Sequence, residues 1–453
     1  MFILDNMYFC GLSGEVVTKG DYNYEVLRQM WNRAIQKFPI AIVYCENYYD
    51  VRNAILWAND RSVPIRIRSG GHNYEGYSNG NSMLVIDISK MNNISINYKE
   101  NTVKIDGGVR NSQLYNFISE KGYPFPGGTC PTVCVSGYSL GGGWGLSSRK
   151  LGLGCDSLLE VELIDYKGDL IVANNYKNQD LFWAVRGAGW GNFGVVVSIK
   201  FKLPSKVENV TFFEINYDNP SINTQCKFFD IWQRWIDSVD NDINMRAGIY
   251  NTLDDGMYIY TIGICYKDIR ETKKLLQPFS NIEGANMNLR YVSFLKAINE
   301  VANIYPKYEH FKFPGRFANE YLSSSQIREI IDIVNRKRPK GSILTSINMY
   351  GLGGEVSQVD NHATAFYYRD AKYILLLQSE FKGNYYKEIN EKWVNENFPH
   401  IYNLTKGSYV NFPYNKLNNY KFEYYGGNII KLDHIKKKYD PYNIFSFPQG
   451  IGN

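Results

Sequence analysis

Between Gly127 and Gly154 the chain spends nine glycines on a stretch with little helical or strand periodicity, and nothing else in it restricts the fold as strongly. Glycine at this density lets backbone approach another segment or a ligand closely. A long glycine-rich segment inside a compact domain is typically functional rather than a plain connector, so the stretch predicts an ordered loop region that carries the chemistry. It reads Gly127-Gly128-Thr129-Cys130-Pro131-Thr132-Val133 and continues through Gly137-Tyr138-Ser139-Leu140-Gly141-Gly142-Gly143-Trp144-Gly145. A phosphate-loop reading fails because no Gly-Lys-Ser/Thr follows, and a dinucleotide fingerprint fails because the glycines open no recognisable helix. Cys130 and Cys134 have no second Cys/His cluster to pair with in a chain holding five histidines, so no metal site is expected.

The flanking segments alternate between helix and strand. Glu25 to Phe38 has helical spacing, Ile40 to Val43 reads as a buried strand, and a helix follows with Asn47 as its cap and Val51, Ala54, Ile55 and Ala58 on one face. Pro64 to Arg68 is a strand that runs straight into Ser69-Gly70-Gly71-His72, which completes a β-α-β unit ending in a glycine turn. Strands are expected at Met83 to Ile88 and Thr102 to Asp106, then a helix from about Ser112 to Glu120 capped by Asn111. Leu158 to Asp165 and Gly194 to Leu203 close a second lobe at Pro204. Longer helices (Ile222 to Val239, Ser323 to Lys337) then alternate with strands (Met257 to Ile264, Ser342 to Tyr350, Tyr373 to Phe381), as in a sheet covered by helices on one face. A helix near Gly427 to Lys438 lies in the C-terminal stretch.

With 453 residues the chain divides into two or three folding units with interiors large enough for a buried cofactor. A net charge of +5 from 50 basic and 45 acidic residues is too small and too mixed for a nucleic-acid or membrane partner. The absence of a long apolar run and of a leader-type N-terminus points to the cytoplasm. Seven cysteines without paired spacing argue against a disulfide framework, and most read as small buried hydrophobes. The 37 tyrosines suit sugar or aromatic ligands, or reflect a composition equally rich in Asn, Ile and Lys. Oligomeric state is left open.

A second motif precedes the glycine stretch. In Arg68-Ser69-Gly70-Gly71-His72-Asn73-Tyr74-Glu75-Gly76, two glycines after a strand let N–H groups converge on a pyrophosphate, with Ser69 adding a hydroxyl. Alone, the string is a tight turn with a structural histidine. In this order and separation, the two motifs resemble those of the berberine bridge enzyme-like family of FAD-linked oxidases. The resemblance continues through Arg149-Lys150-Leu151-Gly152-Leu153, Asp180 to Gly189, Gly191-Asn192-Phe193-Gly194-Val195-Val196, Tyr409-Val410-Asn411 and Asp440-Pro441-Tyr442-Asn443-Ile444-Phe445.

That resemblance implies an α+β fold: a two-lobed PCMH-type FAD-binding domain over residues 1–204, an α/β substrate domain with an antiparallel sheet covered by helices over 205–408, and a segment 409–453 returning to the FAD domain. It implies FAD bonded at its 8α-methyl carbon to His72 and at C6 to Cys130. Arg68, Ser69, Gly70, Gly71, Asn73, Gly76, Val133, Gly137, Tyr138, Gly142, Gly143, Gly194, Val195 and Asn443 are implied around the cofactor, and Tyr74, Trp144 and Asn411 on the substrate side. For the proton acceptor it points to Tyr409 or Tyr350, which two mutually hydrogen-bonded tyrosines would serve, with Glu380 as a weaker choice. Val133 resembles the small residue that leaves dioxygen a path in oxidases. Tyr138 departs from the family, which usually has histidine there. The implied reaction is oxidation of an alcohol, sugar or alkaloid-like donor, with dioxygen reduced to hydrogen peroxide. The rivals are a dehydrogenase using another acceptor, a silent flavin-bearing binding or coat protein, and, more distantly, a nucleotide-transferring enzyme.

Overall fold

The computed structural model describes residues 9–453; residues 1–8, part of the N-terminus on which the absence of a leader is read, lie outside the described residues. Among the described residues, three sheets organise the fold. The first is built from β1 (Glu15–Thr18), β2 (Ala41–Tyr44), β3 (Ile65–Arg68) and β4 (Leu84–Asp87) in the order β1-β2-β4-β3. Its β2, β4 and β3 run parallel, with the helix Tyr48–Asp60 crossing between β2 and β3. That helix starts where the sequence places it: Asn47 accepts from the backbone N–H groups of Tyr49 and Asp50. The second sheet joins β5 (Ile94–Asn97), β6 (Thr102–Asp106), β7 (Leu158–Ile164), β8 (Leu170–Asn174) and β9 (Val195–Lys202) in the antiparallel order β5-β6-β9-β7-β8.

Three local expectations change. Helix forms only at Tyr24–Leu27, not through Phe38, because the next residues give their polar groups to distant segments. Trp31 N donates to the Gly71 carbonyl, Arg33 N to the Glu309 carbonyl, and Asn32 Nδ2 reaches the carbonyls of Tyr74 and Phe311. Helical propensity is weak beside such tertiary partners. The helix Asn111–Ser119 is capped by Arg110, and Asn111, its first residue, instead donates through Nδ2 to the Cys130 carbonyl at 3.0 Å. The glycine stretch is not loop throughout: it contains the short helices Val135–Leu140 and Ser148–Leu151, too brief to show an amphipathic period.

The third sheet has eight strands: β10 (Asn209–Asp218), β11 (Ile243–Thr252), β12 (Gly256–Cys265), β13 (Asn286–Ser293), β14 (Phe311–Lys312), β15 (Gly315–Ala318), β16 (Ser342–Gly351) and β17 (Tyr373–Phe381). Its two faces differ. Met245, Ile249, Ile347, Met349, Leu375 and Leu377 are fully buried and share the face packed by the helices Ile222–Ser238, Ser324–Asn335 and Lys387–Leu404. Register puts Arg246, Gly248 and Tyr250 of β11 opposite Tyr350, Asn348 and Ser346 of β16, and Gln378 of β17 opposite Ser346. Residues directly opposite share a face, so this one is polar and aromatic. Arg149 ties the glycine stretch to this sheet, donating to the carbonyls of Ile236, Ile243 and Leu352.

The C-terminal stretch crosses back to the first lobes. Lys436, buried in the helix Ile429–Tyr439, donates to the carbonyls of Asn192 and Phe445 and pairs with Asp440, and Tyr425 Oη donates to the Ala188 carbonyl. No helix among the described residues is long and apolar enough to cross a membrane.

Candidate functional site

The two sequence motifs meet on one wall of a cavity with about 1530 Å³ of atom-free space, part of it open to solvent. The turn after β3 lies so close to the Cys130 loop that a Cβ on Gly70 would sit 2.9 Å from the Cys134 nitrogen and 3.2 Å from the Thr132 carbonyl oxygen. Glycine at position 70 is what allows the approach. Gly71 has φ +68, a left-handed conformation that glycine adopts without cost. His72 and Cys130 consequently face one residue between them: Thr132 Oγ1 lies 2.9 Å from His72 Nε2 and 3.6 Å from Cys130 Sγ. Trp31 stacks on the His72 ring with centroids 5.0 Å apart.

Burial, with the charge of Arg110 adding, pushes the His72 ring down to about 3, so the imidazole is neutral at physiological pH. Burial also raises the Cys130 thiol, opposed by hydrogen bonds from Thr132 and Val133. The buried Nδ2 of Asn73, in the cavity lining at this turn, has no hydrogen-bond partner among the described residues, and neither has Nη1 of Arg68 beneath it. An orphaned donor at a glycine turn suits an anionic group such as a pyrophosphate. Neutral imidazole, thiol, unpaired donors and a deep cleft together fit a flavin dinucleotide.

Also in the cavity lining, the Tyr409 oxygen receives three donors: Gly143 N at 2.9 Å, Trp144 N at 3.1 Å and Asn411 Nδ2 at 3.0 Å. Burial lifts this phenol to about 12, while those three donors pull it down. Tyr350 differs. It stacks on Trp144 with centroids 4.5 Å apart and lies under the Arg246 guanidinium, whose charge opposes the effect of burial. The donors on Tyr409 are thus backbone and amide groups, where sequence reasoning expected the second tyrosine. Tyr74 is boxed by Phe311, Phe313 and Phe412.

Most of the expected residues line the cavity: Ser69, Gly70, Gly71, His72, Asn73, Tyr74, Cys130, Val133, Gly137, Tyr138, Trp144, Gly194, Tyr350, Tyr409 and Asn411. Six do not. Arg68 lies beneath the turn, paired with Asp87. Gly76 packs on Ile35 and Gly142 on Phe366. Gly143 contributes its N–H to Tyr409, the Val195 side chain belongs to the core between the first two sheets, and Asn443, in a left-handed conformation, donates to the Gly452 carbonyl. Tyr138 is fixed by a 2.8 Å hydrogen bond to the Pro126 carbonyl, and its ring fills space beside Gly128, Gly143 and Gly154.

Sequence reasoning missed Trp31, Tyr305 and Arg246. Tyr305 Oη is 2.5 Å from Thr129 Oγ1 and accepts from Arg246 Nη1 at 2.6 Å, which joins the sheet to the Cys130 loop. Nearby, burial raises the carboxyls of Glu309 and Glu380 to about 8 and about 7, with the charge of Glu380 adding to the shift of Glu309. Only the alternation of β11 hinted at Arg246, a basic residue at the centre of an apolar run.

Comparison with known proteins agrees with this picture. Residues 39–174 match a family model described as an FAD binding domain, and residues 408–452 match one described as berberine and berberine like. The Bacillus subtilis (strain 168) protein YgaK, an uncharacterized FAD-linked oxidoreductase, is 32% identical over 97% of both chains. The carbohydrate oxidase of Microdochium nivale is 25% identical over 97% of this chain and 93% of its own. The structure of glucooligosaccharide oxidase from Acremonium strictum, whose FAD is described as 6-S-cysteinyl, 8α-N1-histidyl, shares the fold. It superposes with a TM-score of 0.88 at 22% identity, covering 96% of each chain.

Proposed function

Because the chain belongs to the berberine bridge enzyme-like family of FAD-linked oxidoreductases, we propose that it is an oxidase of a polyhydroxylated small molecule, a sugar above all, with FAD tethered through His72 and Cys130. Bound there, FAD would supply the redox chemistry, accepting a hydride from the donor and passing two electrons to dioxygen to give hydrogen peroxide. The protein positions the donor carbon and removes the proton of its hydroxyl.

Tyr409 is that proton acceptor, and the three donors on its oxygen are the observation that carries the reading. A phenol hydroxyl has two lone pairs and one proton to place, whereas a phenolate welcomes a third donor. The site is therefore built to favour the deprotonated form once burial is overcome. His72 meets Thr132 through Nε2, which leaves Nδ1 to form the flavin bond, as in the 8α-N1-histidyl linkage described for glucooligosaccharide oxidase.

A sugar donor is supported by the polar and aromatic face of the eight-stranded sheet, from which Tyr350 lines the cavity. Tyr250 Oη donates to Asn348 Oδ1 at 2.8 Å, Asn348 Nδ2 to Ser346 Oγ at 2.8 Å, and Ser346 Oγ to Gln378 Oε1 at 3.2 Å. Such a chain of hydroxyl and amide groups beside tyrosine rings offers both stacking plates and hydrogen bonds to a polyol. Cytoplasmic residence is part of the same proposal.

The test uses purified protein. It is expected to be yellow and to keep its flavin through acid precipitation, with either tether sufficient for retention and the His72→Ala/Cys130→Ala double variant releasing it. Sugars and other alcohols are then screened for anaerobic bleaching of the flavin. One peroxide per donor oxidised in air supports the oxidase. Bleaching without peroxide transfers the proposal to a dehydrogenase, and failure of every sugar to bleach the flavin removes the sugar reading.

A further inference from the structure

Thr132 touches both proposed attachment points: among the described residues its hydroxyl has His72 and Cys130 as its side-chain partners. We infer that Thr132 is a positioning residue for flavin attachment: one hydroxyl that sets His72 and Cys130 in the proton states needed for bonding. The inference rests on the proposal that both residues tether FAD.

A hydroxyl has one hydrogen, so between these two neighbours it accepts from one and donates to the other. If Thr132 donated to His72 Nε2, the ring proton would sit on Nδ1 and block the nitrogen that has to bond. The productive order runs the other way. His72 Nε2–H donates to Thr132 Oγ1, which leaves the Nδ1 lone pair free, and Thr132 Oγ1–H points to Cys130 Sγ, where it stabilises a thiolate. A neutral imidazole meets the first condition. The Cys130 thiol, raised by burial, needs the second. Geometry holds the arrangement: Gly70 presses the His72 turn onto the Thr132–Cys134 backbone, Asn111 holds the Cys130 carbonyl, and Trp31 caps the imidazole.

The bond accounting is closed by dioxygen. At His72 a C–H bond of the 8α-methyl group is replaced by C–Nδ1; at Cys130 the C6–H bond is replaced by C6–S. Each tether sheds one hydrogen from the ring carbon and one from the side chain. The two electrons released per tether reduce the ring, and dioxygen then removes them as one hydrogen peroxide. Bonding at Nδ1 makes the imidazole cationic until its Nε2 proton is lost to solvent, and Thr132 Oγ1 accepts the Nε2–H hydrogen bond until then.

The experiment follows attachment rather than turnover. Wild type, Thr132→Val and Thr132→Ser are incubated with FAD in air. Flavin retained on the denatured chain is measured over time, and proteolytic peptides show whether the His72 peptide, the Cys130 peptide or both carry it. Thr132→Val is expected to slow attachment on the order of ten-fold or more, the scale set by one charge-assisted hydrogen bond. Thr132→Ser is expected to restore it. In Thr132→Val, the Cys130 bond is expected to recover as pH rises, since a thiolate then forms without the hydroxyl; a purely structural role would not give that recovery. Reversible FAD binding and an unchanged melting temperature show that the valine variant is folded. A valine variant that completes both bonds at the wild-type rate overturns the inference while leaving the tethers standing. A wild-type chain that releases its flavin on denaturation overturns the tethers, and the role of Thr132 with them.

Discussion

Asn411 fixes Tyr409 from two residues away: its Nδ2 lies 3.0 Å from the Tyr409 oxygen and 2.9 Å from the Tyr138 carbonyl, while its Oδ1 takes the Trp190 indole N–H at 3.0 Å. An indole can only donate and a carbonyl can only accept, so the amide has one orientation, with its N–H toward the phenol. Replacing Asn411 by Leu removes one of the three donors. The expected result is an alkaline rise in kcat/KM displaced to higher pH and roughly ten-fold lower activity at neutral pH. A pH profile of the variant, measured with its flavin still attached, checks this.

Tyr409→Phe removes the proton acceptor itself. A loss of ~10²–10⁴-fold in kcat is expected, the usual worth of a positioned general base. Because the wild-type phenol is raised to about 12, activity with Tyr409 intact climbs with pH across the alkaline range, and the phenylalanine variant is flat there. Flavin content stays unchanged. Tyr350→Phe is the matched control: retention of the alkaline rise in it, and loss in Tyr409→Phe, identifies the acceptor.

Gly70→Ala places a methyl 2.9 Å from the Cys134 backbone nitrogen, an atom that moves only with its whole loop. Overpacking of this kind costs about 1–3 kcal/mol. The melting temperature falls, and the His72 turn lifts off the Cys130 loop. Denatured protein from this variant therefore carries less covalent flavin than wild type.

Glu309 and Glu380 set a pH slope in stability. Both carboxyls are raised in the folded state above the unfolded value, so they bind protons more tightly when folded. Their contribution is fully present below the ordinary carboxylate range, near ~4.3, and is lost as pH rises through 7 to 8. Glu380→Gln keeps the neutral form at every pH. Thermal melts across pH 5 to 9 should show a shallower decline for it, with a gain of about 1 kcal/mol or more at the alkaline end.

Legibility followed distance along the chain. Elements set by their own neighbours were readable: the Asn47 cap, the alternation of Ile65-Arg66-Ile67-Arg68 and the glycine turn leading to His72 are each written within a few residues. The segment after Leu27 was not, because its geometry is decided by carbonyls of Gly71, Tyr74, Glu309 and Phe311. Trp31 was lost with it, although it covers the His72 ring. Arg246 bonds Tyr305 and Tyr305 bonds Thr129, contacts between segments far apart in the chain that no local period encodes. Asn443, assigned to the cofactor by its motif, lies outside the cavity lining and donates to the Gly452 carbonyl.

The crossing of the C-terminal stretch back to the first lobes gives the site an order of assembly. A ribosome delivers His72, Thr132 and Cys130 long before it delivers Tyr409 and Asn411, and the eight-stranded sheet comes between. The emerging stretch then supplies the phenol and the amide, and Lys436 seals the seam against Asn192 and Phe445. The residues proposed to accept the proton are thus the last part of the site to be made, and they depend on the whole chain being present.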